Sequence, residues 1–151
     1  MSNIIYEVRN GIAVIKFNRP EKLNTLTLEM YDELGKAFVK AQESDDVGVV
    51  ILIGEGEKAF CVGADLTESI PYLNEGHYID EWDAAHFKHI KMNKPVIAAI
   101  NGMCMGGGFE IMLGTDIRIA SNKAIFALPE VSLGIVPAGG TLVRLSRQIP
   151  F

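Results

Sequence analysis

The sequence predicts an α/β domain in which strands alternate with helices along the chain. Three observations lead to this prediction: a two-stranded hairpin opens the chain, two continuous apolar runs follow, and segments of helical periodicity separate them. Strands and helices that alternate at this spacing are typical of parallel sheets with right-handed crossovers. The chain has 151 residues, of which 48% are hydrophobic, so residues 1–151 can form one domain with a substantial core.

The first part of the chain contains a hairpin and a helix. The segments "IIYEVR" (4–9) and "IAVIKFN" (12–18) have the composition of strands, and Asn10-Gly11 between them favours a two-residue turn. After the loop "RPEKLNTLT", Thr27 is a suitable N-cap for a helix over residues 28–43, whose apolar side chains recur on one face. We therefore expect a hairpin followed by an amphipathic helix.

Two apolar runs predict the central strands. "VGVVILIG" (47–54) and "PVIAAING" (95–102) are continuous, which is typical of strands that are buried on both faces. A loop is expected directly after the first run. Beyond the second run, the sequence predicts a helix that begins near Gly107, a short strand in "DIRIAS" (116–121) and a final helix in "LVRLSRQIPF".

Composition and charge argue against several classes of protein. The formal net charge of −5 disfavours a nucleic-acid-binding surface. No apolar stretch is long enough to span a membrane, and the amino terminus "MSNIIYEVRN" lacks the basic and apolar regions of a secretory signal. Cys61 and Cys104 form no CxxC pair and are expected to be small buried residues. These features predict a protein of the reducing cytoplasm.

The histidines do not predict a metal site. A polar region around residues 80–91 is predicted to be helical and contains His86 and His89, three positions apart, with His77 nearby. A metal site would need a tighter cluster with carboxylates or thiolates at a known spacing. We therefore expect solvent-exposed helix histidines here and no metal ligands.

The stretch "NGMCMGGGFEIMLGTD" (101–116) places three consecutive glycines where a buried strand gives way to a helix. The first N–H groups of a helix lack intrahelical partners and lie at the positive end of its dipole, so they can hold an oxyanion. Glycines let a ligand approach the backbone, and Glu110 lies one turn beyond Gly107 on the same helix face. This arrangement suits proton transfer beside a thioester or a ketone, although close packing alone would also explain the glycines.

Two further segments could contribute to the same site. "AFCVGADL" (59–66) follows the first buried strand as the glycine run follows the second, and ligands gather beyond the carboxyl ends of strands in α/β sheets. Each loop can offer one backbone N–H to the same oxygen. Asp65 by itself is typical of a turn or cap residue, and Glu130 in "LPEVSLG" (128–134) could simply start a short helix after Pro129.

In combination, these motifs resemble those of the crotonase, or enoyl-CoA hydratase/isomerase, family. The segments that carry the resemblance are "VRNGIAVIKFNRPEKLNTLTLEMYDEL", "AFCVGADL", "KPVIAAINGMCMGGGFE", "DIRIAS" and "FALPEVSLGIVP". They cover essentially the whole chain and occur in the order found in the family. The resemblance implies an α/β ββα spiral of the ClpP/crotonase type, present here as a crotonase core that is truncated at its C-terminus and lacks the C-terminal helical part.

The resemblance also implies roles for individual residues. Ala64 and Gly107 match the positions whose backbone N–H groups form the oxyanion hole for the thioester oxygen of an acyl-CoA. Glu110 and Glu130 match the two catalytic glutamates of enoyl-CoA hydratases, with Glu110 expected to activate water and Glu130 to protonate Cα. The residues expected to contact the acyl-CoA substrate are Lys22, Leu23, Ala64, Asp65, Leu66 and Gly107.

The presence of both glutamates favours a hydratase that adds water to a 2-enoyl-CoA. Within the family the alternative is an isomerase or another acyl-CoA-transforming enzyme, and in a different class it is a catalytically inactive acyl-CoA-binding or interaction module. A ClpP-type serine peptidase would need a serine and a histidine near the helix start, and the sequence predicts neither there. The resemblance implies no cofactor beyond the coenzyme A of the substrate and a homo-oligomer, either a trimer or a dimer of trimers, whereas charge and hydropathy argue against a nucleic-acid or membrane partner.

The sequence departs from the family pattern in two places. Family members commonly have P-x-A-G-G-T-x-R-L after the second glutamate, whereas residues 137–145 are "PAGGTLVRL", with the glycines one position earlier and an extra residue before Arg144. This loop flanks the acyl pocket in the family, so the acyl-chain preference stays open. The chain also stops at Phe151, where family members usually continue. This predicts an exposed apolar face on the last segment and association with other copies or with a complementary piece.

Overall fold

A tight turn at Asn10 and Gly11 begins the fold. In the computed structural model, which describes residues 2–77 and 80–150, both residues have positive φ, 53° and 79°. Such angles match the right-handed twist of the flanking strands. The strands pair antiparallel, with Ile4 opposite Phe17 and Arg9 opposite Ile12. The predicted hairpin is therefore confirmed.

The described residues form strands, helices and short 3-10 turns in alternation. The strands are β1 (Ile4–Arg9), β2 (Ile12–Phe17), β3 (Val49–Gly54), β4 (Ala59–Cys61), β5 (Val96–Ile100), β6 (Met103–Met105), β7 (Ile117–Ala120) and β8 (Ile125–Ala127). The helices are α1 (Leu28–Glu43), α2 (Leu66–Asn74), α3 (Asp80–Ala85), α4 (Gly107–Leu113) and α5 (Thr141–Arg144). The 3-10 turns are Pro20–Lys22, Pro129–Leu133 and Leu145–Arg147.

The strands form two sheets. The large sheet has five strands in the order β1-β2-β3-β5-β7, and it is parallel from β2 onwards. The small sheet has three parallel strands in the order β4-β6-β8. Each of β3, β5 and β7 is followed by a strand of the small sheet and then by a helix or a 3-10 turn. This repeated β-β-helical unit is the ββα spiral that the sequence motifs imply.

The small sheet decides where the candidate site forms. Neighbouring parallel strands end at the same edge of a sheet, so the segments that follow β4, β6 and β8 meet there. Ala64 follows β4, Gly107 follows β6 and Glu130 follows β8. Three segments that are far apart in sequence are therefore brought to one edge.

The core lies between α1 and the two sheets. Thr27 caps α1 by accepting a hydrogen bond from the backbone N–H of Met30, and the buried face of the helix includes Tyr31, Leu34 and Phe38. The helix and its cap agree with the sequence prediction. The central strands differ from the prediction that both of their faces are buried. Burial alternates along them, and only one face of β3 is fully buried. The opposite face is only partly covered by the described chain.

Several short elements were not predicted from the sequence. The segment expected to be a loop, residues 55–69, contains β4 and the first residues of α2. Asp65 is the N-cap of α2 and accepts a hydrogen bond from the N–H of Thr67. Strand β8 was also missed. The helix expected over residues 80–91 ends at Ala85, and positive φ at Phe87 and His89 turns the chain away. Three-residue strands are too short to show a periodicity, and Pro71 within α2 conceals the helical pattern.

Two expectations about the protein class can be set against the fold. Among the described residues, none of the helices is both long and apolar enough to cross a membrane. Cys61 and Cys104 are buried and unpaired, as predicted, and they are opposite each other in adjacent strands of the small sheet.

Gly108 provides a test of how tightly α4 packs on β4. A Cβ at residue 108 would overlap the carbonyl oxygen of Cys61 and lie 2.8 Å from its Cβ, so we expect Gly108→Ala to lower the free energy of unfolding by about 3 kcal/mol. Gly48→Ala is the matched control, because a Cβ there meets only the carbonyl oxygen of Gly11 at 3.8 Å. Chemical denaturation measures both variants. Equal stability of the two would contradict the proposed packing.

Candidate active site

The three consecutive glycines have different structural roles. Gly106 is the N-cap of α4 and has φ 51° and ψ −129°, a conformation that only glycine adopts readily. A Cβ on Gly107 would lie 2.9 Å from the hydroxyl oxygen of Tyr31 and 3.6 Å from the Cα of Gly63. Gly108 packs against the backbone of Cys61. The glycines thus allow the helix start to approach two neighbouring segments at backbone distance.

Two backbone N–H groups are available where these loops meet. Ala64 pairs with Leu26 in an isolated parallel bridge, in which Leu26 donates to the carbonyl of Gly63 and Asp65 donates to the carbonyl of Leu26. This pairing leaves the N–H of Ala64 unused. The N–H of Gly107 is one of the free donors of the α4 start. Within residues 2–77 and 80–150, neither N–H group has a hydrogen-bond acceptor.

Glu110 is buried one turn inside α4, with an exposed fraction of 4%. One carboxylate oxygen, Oε1, accepts hydrogen bonds from the backbone N–H of Thr141 at 3.1 Å and from its hydroxyl group at 2.9 Å. Thr141 is the first residue of α5, so the carboxylate is held at the start of that short helix. The other oxygen, Oε2, faces Gly139, where a Cβ would lie only 2.7 Å from it. No sequence motif indicated this role of Thr141.

Glu130 lies in the 3-10 turn that follows β8 and is also buried, with an exposed fraction of 7%. Its Oε1 is 3.3 Å from the position that a Cβ on Gly106 would take, which places the carboxyl group beside the start of α4. Its Oε2 has no hydrogen-bond partner in the part of the chain that the structure describes. Burial, and secondarily the charge of Glu110, raises the pKa of Glu130. The two predicted glutamates are therefore brought into one electrostatic environment.

His86 corrects one expectation from the sequence. The predicted solvent-exposed position is right for His89, whose side chain is 85% exposed, but His86 is only 2% exposed. The chain turns inward after α3 ends, and the ring of His86 packs at 5.8 Å from that of Tyr31. The apolar neighbours of His86 in "AAHF" are the sequence feature that could have indicated its burial. The expectation that no histidine lies near the α4 start was therefore also wrong, because Nε2 of His86 is 3.7 Å from the Cβ position of Gly107.

Two long side chains join the His86 segment to the loop before α5. Arg144 donates to the carbonyl oxygens of His86 at 2.8 Å and Gly139 at 3.3 Å. Lys88 donates to the carbonyl oxygen of Ala138 at 2.8 Å. The loop with the unusual glycine spacing is therefore held by two hydrogen bonds from basic side chains, to the carbonyl oxygens of Ala138 and Gly139.

The segment expected to contact coenzyme A lies beside the Ala64 loop. Arg19 forms an ion pair with Asp65 at 2.7 Å, and the bonds from Thr67 and Arg19 lower the pKa of Asp65. The carboxylate of Asp65 is thus engaged in capping α2 and in the ion pair with Arg19. Lys22 and Leu66 are exposed, and Leu23 is half-buried with positive φ. Asp65 and Leu66 directly follow Ala64, and contact of any of the four residues with a ligand stays a prediction.

No metal centre accompanies this site in the described ranges, 2–77 and 80–150. They contain no group of three or more histidine, cysteine, aspartate or glutamate side chains that could hold a metal ion.

Comparison with known proteins supplies the family. The family described as "Enoyl-CoA hydratase/isomerase" matches residues 7–151. The chain is 41% identical to the short-chain-enoyl-CoA hydratase of Clostridium acetobutylicum, with 99% of this chain and 58% of that protein aligned. It is 39% identical to the (E)-benzylidenesuccinyl-CoA hydratase of Thauera aromatica, with 97% of this chain and 58% of that protein aligned. The chain thus spans about 58% of the length of these curated relatives.

Solved structures agree with the sequence relatives. The carnitinyl-CoA dehydratase from Mycobacterium avium 104 superposes with a TM-score of 0.87 at 35% identity, over 99% of this chain and 59% of that chain. The enoyl-CoA hydratase from Bacillus anthracis superposes with a TM-score of 0.85 at 35% identity, over 97% of this chain and 58% of that chain. The sequence motifs and the fold agree with these matches, and the chain belongs to the enoyl-CoA hydratase/isomerase family.

Proposed function

We propose that the protein is an enoyl-CoA hydratase-type lyase that adds water across the double bond of a 2-enoyl-CoA thioester. The observation that carries the proposal is the pairing of two free backbone N–H groups, on Ala64 and Gly107, with two buried carboxyl groups, on Glu110 and Glu130. Attack of water at Cβ builds negative charge on the thioester oxygen. Preorganised N–H donors stabilise that charge more than they stabilise the ground state, which lowers the barrier.

The environments of the two glutamates suit different tasks. Glu110 takes a proton from water as the water oxygen bonds to Cβ of the substrate, because Thr141 holds only Oε1 of the carboxylate and leaves Oε2 without a hydrogen bond from Thr141. Glu130 delivers a proton to Cα, because burial and the charge of Glu110 raise its pKa and favour the acid form more than in an ordinary carboxyl group. The proton that Glu110 took from water then passes to Glu130, directly or through solvent, so that both groups return to their starting states. The net change is the addition of one water molecule.

The substrate side of the proposal is an acyl-CoA. Ala64 and Gly107 bind the thioester oxygen, while Lys22, Leu23, Asp65 and Leu66 form the region that contacts coenzyme A. Exposed Lys22 can approach a phosphate, and Asp65 acts indirectly by holding the loop through Arg19 and Thr67. This chemistry uses proton transfer and backbone donors, so no cofactor is required beyond the coenzyme A of the substrate.

An isomerase is the second candidate, because the family model covers both activities. It would move a proton between two carbons and would need no attacking water. A non-catalytic acyl-CoA-binding module is the third candidate, and it would bind the thioester without turning it over. A peptidase is disfavoured, because His86 lies near the α4 start but "GGGFE" supplies no serine nucleophile there.

We also propose that the protein self-associates and works in the cytoplasm. The support for association is a set of exposed apolar side chains in the later part of the chain, among them Ile119 (62%), Val131 (86%), Val136 (71%) and Leu142 (68%). A cavity of about 500 Å³ opens in the same region between Phe109, Phe126 and Leu145. Several large apolar side chains this exposed favour an interface. The support for the cytoplasm is the pair of unlinked cysteines.

Glutamine variants test the catalytic assignment. We expect Glu110→Gln and Glu130→Gln each to lower kcat for hydration of crotonyl-CoA by about 100- to 10,000-fold, because each removes one proton-transfer group. The reaction is followed by the loss of absorbance of the conjugated thioester. Glu57→Gln, on an exposed loop, is the matched control and should retain the original rate. Unchanged hydration in either active-site variant would show that the assignment is wrong, and retention of isomerase activity without hydration would favour the second candidate.

The raised pKa of Glu130 can be measured directly. In a carbon-13 NMR titration of labelled glutamate side chains, Glu130 should titrate above an ordinary carboxyl group. Glu110→Gln removes a neighbouring negative charge, so the charged form of Glu130 becomes less costly and its pKa should fall toward the ordinary value. Glu57→Gln should leave the titration unchanged. A pKa of Glu130 that does not respond to Glu110→Gln would contradict the proximity of the two carboxyl groups.

The oligomer proposal predicts a species larger than a monomer in multi-angle light scattering. A charge placed in the exposed apolar surface, as in Val136→Glu, should shift the population toward smaller species because an unpaired buried charge opposes association. Val39→Glu is the control, since Val39 is 40% exposed on α1, outside this surface. A monodisperse monomer before any substitution would refute self-association.

A further inference from the structure

The direction of the Ala64 N–H is set by the peptide unit that it shares with Gly63. The carbonyl group of Gly63 and this N–H belong to one planar trans unit, so they point in opposite directions. Leu26 donates to the carbonyl oxygen of Gly63 at 2.9 Å and therefore turns the N–H of Ala64 away from Leu26. A Cβ on Gly63 would lie 2.9 Å from the backbone nitrogen of Gly107, so this peptide unit lies beside the second proposed donor.

One hydrogen bond does not fix that peptide unit, because the unit adjoins a glycine. Gly63 has φ 93°, and glycine changes its backbone angles more readily than any other residue. On the other side of Ala64, the backbone N–H of Asp65 donates to the carbonyl oxygen of Leu26 at 2.8 Å. The isolated Leu26–Ala64 bridge therefore rests on two backbone hydrogen bonds, and its orientation depends on what holds the two segments that form it.

Arg19 holds both of these segments. Its Nη1 donates to Oδ2 of Asp65 at 2.7 Å and to the hydroxyl oxygen of Thr25 at 3.1 Å. Asp65 and Thr25 each adjoin one residue of the bridge, so the guanidinium group joins the two segments beside it. The side chains of Arg19 and Asp65 are only 18% and 14% exposed, so solvent screens this charge-assisted bond less than it screens a surface ion pair.

The backbone of Arg19 is itself anchored to the large fold. Its N–H donates to Oδ1 of Asn24, and its carbonyl oxygen accepts from the N–H of Asn24, both at 2.9 Å. Asn24 is fully buried, and its amide group donates to the carbonyl oxygens of Glu55 at 3.1 Å and Ala59 at 2.9 Å, which follow β3 and begin β4. The guanidinium group therefore acts on the bridge from a fixed base.

We propose that Arg19 is a positioning residue, which keeps the N–H of Ala64 aligned with the thioester oxygen by clamping the bridge on both sides. This inference rests on the proposed function, because it assigns a support to one of the two oxyanion donors. Without Arg19 the donor remains but can tilt, and a hydrogen bond weakens steeply as its angle departs from linearity. The charge on the thioester oxygen is larger in the transition state than in the ground state, so misalignment lowers turnover more than binding.

Turnover of crotonyl-CoA is the first test. Arg19→Met keeps an unbranched side chain but removes the donors, and we expect kcat to fall by about 10-fold with KM changed less than about threefold. Arg19→Lys keeps a charged donor and should recover part of the loss. Arg9→Met, the same exchange at the exposed end of β1, is the matched control and should retain the original rate. Thermal unfolding verifies the fold of each variant, and Asp65→Asn, which also removes the ion pair, replaces Arg19→Met if that protein does not fold.

The carbonyl stretch of a bound thioester reports on the donors directly. Butyryl-CoA labelled with carbon-13 at its thioester carbonyl has no double bond to hydrate, and hydrogen bonds to the carbonyl oxygen lower its stretching frequency in isotope-edited infrared spectra. We expect the unsubstituted protein and Arg9→Met to lower this frequency by the same amount. Arg19→Met should lower it by a smaller amount, because one of the two donors is misaligned.

The outcomes distinguish the inference from the function on which it rests. A smaller infrared shift together with a lower kcat supports the positioning role. An unchanged shift, or a loss confined to thermal stability, would overturn the role and leave the hydratase proposal in place. An effect confined to KM would overturn it as well, because Arg19 would then bind coenzyme A itself. If the unsubstituted protein shifted the carbonyl stretch without hydrating crotonyl-CoA, the hydratase proposal would fail and the infrared comparison would still decide the role of Arg19. No shift in the unsubstituted protein would refute both.

Discussion

The contact between α4 and β4 is the constraint on which the site depends. Gly108 lies so close to the carbonyl group of Cys61 that no side chain fits between the helix and the strand. This distance brings Gly107 against Gly63 and sets the position of Glu110 one turn further along the same helix. A helix start at any greater distance would separate the two free N–H groups that the proposed chemistry needs. Packing and function therefore impose the same requirement on this segment, which explains why three poor helix formers occur at a helix start.

The local elements of the fold could be predicted from the sequence because their causes are local. Asn10-Gly11 determines the hairpin, and Thr27 with the apolar periodicity after it determines α1. The small sheet could not be predicted in the same way, since its three-residue strands are stabilised by neighbours from distant parts of the chain. Parallel pairing between strands this short produces no recognisable pattern within a short segment of the sequence.

The same distinction applies to the candidate site. Glu110 and Gly107 are close in sequence, so their spacing on one helix was sufficient to relate them. Thr141 and His86 reach Glu110 from segments 31 residues later and 24 residues earlier, and no spacing rule connects them. The prediction that His86 is exposed was wrong, because two histidines three residues apart in a polar segment are typical of an exposed helix face. Only the end of α3 at Ala85 turns one histidine inward and leaves the other in solvent.

For the acyl-CoA chemistry proposed above, the basic clamp formed by Arg144 and Lys88 has a consequence for substrate selection. These side chains bond the backbone of the His86 segment to residues 138 and 139, and residue 141, just beyond, holds Glu110. An acyl group that presses on either segment must therefore move both segments. Nε2 of His86 and Oε2 of Glu110, which both face Gly139, would move with them. An ill-fitting acyl chain would then be bound but turned over slowly, because its cost appears as misalignment of the reacting groups. Selectivity in such an arrangement is expressed through turnover more than through affinity.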